Sequence, residues 1–284
     1  MNKKILILFY FCFFTNIKAQ THRFIYEYKF VPDSTKIDST ITENTRLEIF
    51  RDHSEFLSDL TAKRDSAILK SAERNYGEVG TDLPTGLFKN KVWKSKDKLY
   101  VTESIGIENF NVVNDIKFEW KLTNETKIIQ NYNCQKATLN YGNRNWEAWF
   151  TTDILIQDGP YIFRNLPGLI VQIQDKNNLH SFLLIANYKS NSTKTSIPAG
   201  TASKRFKSYD VTREQFNKKW NDFKKYPIGG SEQFMLMNPD ISDIRNYDEN
   251  GKEQNMSDVR AKEREQAKKI INERNNFIDL QLYE

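Results

Sequence analysis

Residues 23–31 read RFIYEYKFV, and apolar and polar side chains alternate along them. Phe24, Tyr26, Tyr28 and Phe30 share one face, while Arg23, Glu27 and Lys29 share the other with Ile25. A period of two is the pattern of a half-buried strand. A second short strand is expected at 47–50. The period then changes. Over residues 53–75, Phe56, Leu57, Leu60, Ala67, Ile68 and Ala72 recur near helical spacing with no Gly or Pro between them, which predicts a helix.

Gly77, Gly80, Pro84 and Gly86 mark a loop, and short strands follow at 92–94, 99–102, 118–122, 133–141, 146–151, 169–174 and 181–188. Connections this short join antiparallel neighbours, because parallel strands need long crossovers. Residues 187–203 are rich in Ser, Thr and Asn and read as loop. Thr212 can cap a helix carrying Phe216, Trp220 and Phe223 on one side, and Pro227 stops it. Residues 257–275 form a highly charged, mostly solvated helix. The fold class is therefore α+β. A mainly antiparallel, strongly curved sheet, approaching a half-barrel, carries a packed helix. Residues 20–190 make the sheet core, and residues 191–284 make a loop-rich, helical extension of the same domain.

The start of the chain has a separate logic. Lys3 and Lys4 precede ten apolar residues at 5–14, and a polar stretch then ends at Ala19. This is the plan of a signal peptide cleaved after residue 19. The apolar run is too short for a membrane anchor, which needs ~20 residues. Without Lys3, Lys4 and Lys18, the 42 basic residues fall to 39 against 37 acidic ones. The positive balance that hints at nucleic acid is thus partly a property of the leader, and no basic stripe interleaved with aromatics remains. Cys12 leaves with the leader, so Cys134 has no partner for an intrachain disulfide; a buried thiol is expected.

Catalytic motifs are missing: there is no phosphate-binding loop, dinucleotide fingerprint, nucleophile elbow or paired-His zinc motif. His22, His53 and His180 are scattered, so no zinc site is expected, and no cofactor. Cys134 with His180 is the one conceivable nucleophile pair, without local support. Asp240, Asp243, Asp248 and Glu249 resemble part of a calcium loop but lack its spacing.

The informative block is 119–184. Trp120, then ETK at 125–127, YNCQKA at 132–137, RNWEAWF at 144–150, Gly159 with Pro160, and FRNLPGLI at 163–170 follow in order. The block resembles the GLPGLI family of secreted Bacteroidota proteins, and NFIDL at 276–280 is similar to that family's Asn-Pro-Ile-Glu-Leu ending. The resemblance covers almost the whole chain. Asn165 stands for the first Gly of the naming motif, Ile162 for a usual Lys and Leu155 for a usual Pro. The resemblance implies an exported protein and assigns no activity.

In physical terms Leu166, Pro167 and Gly168, with Leu169, suit a type II turn in which Gly168 supplies a positive φ. That corner is either a folding device or the lip of a ligand cleft. Trp146, Ala148 and Phe150 share one strand face; Trp149 lies on the other, where it can line an apolar pocket. Arg144 and Arg164 can hold an acidic head group. These six residues, Arg144, Trp149, Arg164, Leu166, Pro167 and Gly168, are the candidate ligand site; no catalytic residue is assigned. The leading reading is a non-enzymatic envelope binding protein, periplasmic or associated with the outer membrane, whose concave sheet face takes an apolar or peptide-like ligand. An accessory protein docked on an outer-membrane transporter is the alternative, and a hydrolase comes third.

Overall fold

The computed structural model describes residues 21–73, 83–106, 108–190, 208–230 and 253–284, with positions 232, 237, 247, 250 and 251. The leader and the acidic positions 240–249 other than Tyr247 lie outside the described residues. Twelve strands form one open sheet. In chain order they are β1 (Thr21–Phe30), β2 (Ile41–Ile49), β3 (His53–Ser58), β4 (Lys91–Ser95), β5 (Leu99–Ile105), β6 (Glu108–Val113), β7 (Lys121–Ile129), β8 (Tyr132–Tyr141), β9 (Arg144–Thr151), β10 (Leu169–Asp175), β11 (His180–Ser190) and β12 (Ser208–Val211). Their spatial order is β12-β6-β5-β4-β3-β2-β1-β11-β10-β9-β8-β7. Every neighbouring pair is antiparallel except β12 with β6. The helices given whole among the described residues are α1 (Asp59–Glu73), α2 (Arg213–Lys225), α3 (Met256–Glu273) and α4 (Leu280–Tyr283). None of them is long and apolar enough to cross a membrane.

The α+β architecture with a mainly antiparallel curved sheet is the one the periodicity gives. Several elements differ. Residues 53–58, read as the start of a helix, are β3: Phe56 faces Leu47 across the β2–β3 pair, and Ser54, Phe56 and Ser58 alternate with His53, Glu55 and Leu57. The adjacent pair Phe56 and Leu57 satisfies a strand buried on both faces as well as a helix stripe, and the cross-strand partners decide. Residues 118–120 lie outside any strand; Phe118 and Trp120 pack on the core from a loop instead. Strands β6 and β12 carry too weak an alternation to be read, and β12 returns parallel after a long connection.

The inner face of the sheet carries the main core, including Phe24, Tyr26, Leu47, Phe56, Val92, Val101, Trp146, Ala148, Phe150 and Phe182. Helix α2 starts as expected: Thr212 accepts from the Gln215 N–H and Gln215 reciprocates, a capping box. Its Phe216 and Trp220 join Phe110, Val112 and Leu282 in a second core at the β5–β6 end. Helix α3 buries none of its residues, in keeping with its charged sequence.

Candidate functional site

The inner face is filled by the chain itself. Between β9 and β10, residues 152–168 fold back onto it and place Tyr161, Ile162, Phe163 and Leu166 in the core, each at most 2% exposed. Phe163 packs on Trp146 at 4.7 Å between ring centroids, and Tyr161 meets Phe88 edge-on. The polar anchor of this plug is Lys94 on β4, itself 1% exposed. Its ammonium donates to Asp158 Oδ1, to Gly159 O at 2.8 Å and to Tyr161 O at 3.0 Å, using all three protons. Ser54 donates to the second Asp158 oxygen. Burial lowers the Lys94 pKa against the attraction of Asp158.

The candidate residues from the sequence divide among three places. Leu166, Pro167 and Gly168 belong to the plug, with Leu166 inside and Pro167 exposed. The corner is built differently from a type II turn. Gly168 does not adopt a positive φ; instead a Cβ there would lie 1.9 Å from Thr151 O, so the backbones approach too closely for any side chain. The positive φ falls on Asn165 at 72°. Asn tolerates that region better than most residues, which suits it to this position. Arg164 donates to Ser95 O, and its own carbonyl accepts from the Trp120 indole at 2.8 Å.

Arg144 and Trp149 point to opposite faces of β9. Arg144 is 7% exposed and fully engaged: it meets Asp175 at 3.4 Å, the Asn276 side chain and Phe277 O. Trp149 is 6% exposed and lies on the outer face beneath Lys127, whose ammonium is 4.1 Å from the ring centroid. Trp146 Ala148 and Phe150 are inside, as alternation requires. The structure therefore does not bring Arg144, Trp149 and the 166–168 corner into one site.

Arg144 instead joins the chain end to the sheet. Asn276 donates to Val31 O, and Leu280 N donates to Gly142 O at 3.0 Å. Asp279, 2% exposed, accepts a two-pronged contact from Arg213 at 2.6 and 3.0 Å and the Tyr141 hydroxyl. Burial opposes the Arg213 charge, but Asp279 outweighs it and raises the pKa. Tyr283 donates to Glu103 at 2.7 Å; burial in the second core pushes the Glu103 carboxyl up to about 7. A polar cleft of about 390 Å³ opens beside this clasp, lined by Asn140, Asn143, Asn145, Arg213 and Gln281 among others. Cys134 is buried, and burial pushes its thiol up to about 11, away from a reactive thiolate. His180 is buried against Tyr28, whose hydroxyl lies 2.7 Å from Nδ1; burial, then the Arg144 charge, drives it down to about 3. The two do not pair: Cys134 Sγ contacts Tyr132 O at 3.5 Å.

The outer face holds the arrangement that the sequence does not display. Strand register sets Tyr188, Arg23, Glu48, Glu55, Trp93 and Tyr100 in one row across β11, β1, β2, β3, β4 and β5. Glu48 and Glu55 are directly opposed, a like-charge pairing that costs stability unless compensated. Arg23 and Arg46 both reach Glu48, and Arg46 also binds Asp59 at the start of α1. Glu48 is fully buried, and burial raises its pKa despite both arginines. Its Oε2 has no hydrogen-bond partner among the described residues. Glu55 lies nearer the surface, 3.5 Å from His53 Nε2.

Aromatic rings continue from the carboxylates. Phe50 stacks on His53 at 4.5 Å, His53 on Trp93 at 5.5 Å and Trp93 on Tyr100 at 5.3 Å, with interplanar angles of 9°, 23° and 12°. Flat rings in contact lie ~3.5 Å apart, so a 5.3 Å centroid distance implies a slide of about 4 Å. The rings overlap like shingles, and each leaves part of a face uncovered. All four are half-buried. Burial, then the charges of Glu55 and Asp210, raises the Tyr100 pKa. Reading residues 53–58 as helix conceals the middle of this row, where β3 joins β2 to β4.

A family model described as "N-glycanase peptide, N-terminal domain" (PNGase F-II) matches residues 89–211, the segment from just before β4 to the end of β12. Its description differs from the family that the 119–184 motifs resemble. Two solved structures of PNGF-II are similar at 14% identity, with TM-scores of 0.46 and 0.44. They cover 71% and 69% of this chain and 33% and 32% of their own. The chain thus spans about a third of the length of those proteins. No curated protein matches. The central part of the chain is therefore similar to an N-glycanase N-terminal domain.

Proposed function

We propose that this chain is an exported, non-enzymatic binding protein of the cell envelope that takes its ligand on the outer face of β1–β5. The row of Glu55, Trp93 and Tyr100 beside Arg23 carries this reading: a polar and an aromatic surface adjoin there, with part of each ring uncovered. The concave interior, the first expectation for a ligand, is filled by residues of the 152–168 segment, which directs the reading to the outer face. The buried titratable groups Lys94, Arg144 and Asp279, and the half-buried Arg213, are each held by other parts of the chain, in keeping with a structural role. Export rests on the basic, apolar and small-residue pattern of residues 1–19. The description of the matched domain supports a ligand or partner of the glycoprotein kind, carrying peptide, sugar or both.

The test is recovery of the protein from the envelope followed by mass spectrometry of what stays bound. Wild-type protein and Trp149→Ala should retain the same molecule, whereas Trp93→Ala should lose it while melting within a few degrees of wild type. Equal retention by Trp93→Ala and by Tyr100→Ala would move the binding surface elsewhere and overturn the proposal.

A further inference from the structure

Resting on the outer-face reading, we infer that the aromatic steps Phe50, His53, Trp93 and Tyr100, with Glu55 beside them, recognise a chain of pyranose sugars. The first reason is spacing. The ring steps are 4.5, 5.5 and 5.3 Å, set by neighbouring strands that lie ~4.8 Å apart. One pyranose unit matches one such step. An extended peptide presents same-side residues every ~6.7 Å, which falls out of phase within two steps.

Hydrogen bonding gives the second reason. A sheet face offers side chains and no free backbone groups, so a peptide lying across it leaves its own N–H and C=O groups without partners. Sugar hydroxyls both donate and accept. A carboxylate such as Glu55, partly exposed beside the rings, only accepts, which suits the hydroxyl protons of such a ligand. The uncovered parts of the rings suit the C–H faces of the same sugars, one apolar and one polar side of a single ligand.

Titration calorimetry with β-1,4-glucan, β-1,4-N-acetylglucosamine and α-1,4-glucan oligomers from two to six units tests this, with hexalysine and a hexapeptide of alternating Ser and Val as competitors in class. At least one sugar series should bind, with affinity rising to about four units and then levelling. Trp93→Ala and Glu55→Gln should each weaken binding at least about tenfold, or 1.4 kcal/mol; Trp93→Phe should recover part of it and show that folding is not the cause. A peptide that binds in a Trp93-dependent way while no sugar does would overturn the sugar assignment and keep the outer face. Binding of neither class overturns the assignment as well. Retention of the envelope ligand by Trp93→Ala is the separate result that defeats the outer face itself.

Discussion

Gly168 and Asn165 show how two neighbouring positions carry different constraints. Asn165 needs a positive φ, which Gly relieves, so Asn165→Gly should be neutral or slightly stabilising in denaturant unfolding. Gly168 needs the absence of a Cβ against Thr151 backbone, which cannot give way cheaply. Gly168→Ala is expected to cost more than the ~1 kcal/mol typical of a φ effect, on the order of 2–4 kcal/mol, because overpacking here meets main chain. The tryptophans of β9 separate in the same experiment. Trp146→Ala empties the inner core and should cost ~3–5 kcal/mol. Trp149→Ala removes a ring that two lysines cover and should cost clearly less, including ~0.5–2 kcal/mol of cation–π attraction.

Glu103 makes a pH prediction at the same scale. Its carboxyl is held at about 7 in the folded protein against an ordinary 4.5, chiefly by burial. The folded state therefore binds the proton more tightly than the unfolded chain. The stabilisation is full below pH 4.5 and is lost as pH rises through 7, by up to about 3 kcal/mol if the whole shift is expressed. Asp279, Arg213, Tyr283 and Asn90 surround the group and set that value. Unfolding free energy measured between pH 5 and 8 should decline in wild type and flatten in Glu103→Gln. An unchanged slope in the variant would assign the pH dependence to another group.

Among the elements, the plug and the chain end show why motifs cluster in this sequence. The residues after β9 are braced by their own backbone bonds, such as Asn165 N to Gln157 O at 3.1 Å and Ile170 N to Asp158 O at 3.1 Å. Lys94 then fastens the plug to the sheet. Lys94→Met should destabilise by ~3–5 kcal/mol, because Asp158 is left buried without its cation. The double variant Lys94→Met with Asp158→Asn should recover part of that loss, which a double-mutant cycle measures. At the chain end, Asn276 and Asp279 find Arg144, Tyr141 and Arg213. Motifs more than a hundred residues apart in sequence thus meet in one clasp, and Gly142 at φ 60° lies against Asp279. The turn before β10 and the clasp share one character: both hold loops onto the sheet.

Most strands of the whole molecule were legible because alternation in β1, β4, β5, β8, β9, β10 and β11 is a local property. The α2 cap was legible for the same reason. The row on the outer face was not, since Arg23, Glu48, Glu55, Trp93 and Tyr100 come from five strands and only register aligns them. Arg144 was read as a holder of a ligand's acidic group; its partners in the fold are Asp175 and residues beyond 270, which nothing local names. The plug was hidden because an apolar run such as Tyr161, Ile162 and Phe163 reads alike as strand, helix or filled cavity.

The central claim is that this protein binds on the outer face of β1–β5 while its interior stays closed. Backbone and indole NMR shifts of the protein, with and without the molecule that co-purifies from the envelope, address it most directly. The account expects the changes to centre on His53, Glu55, Trp93 and Tyr100, with the Trp146 indole and the Tyr161 and Phe163 amides unmoved. Shifts centred on Trp146, Tyr161 and Phe163, with the β3–β5 face silent, would show a ligand displacing the plug and would contradict it.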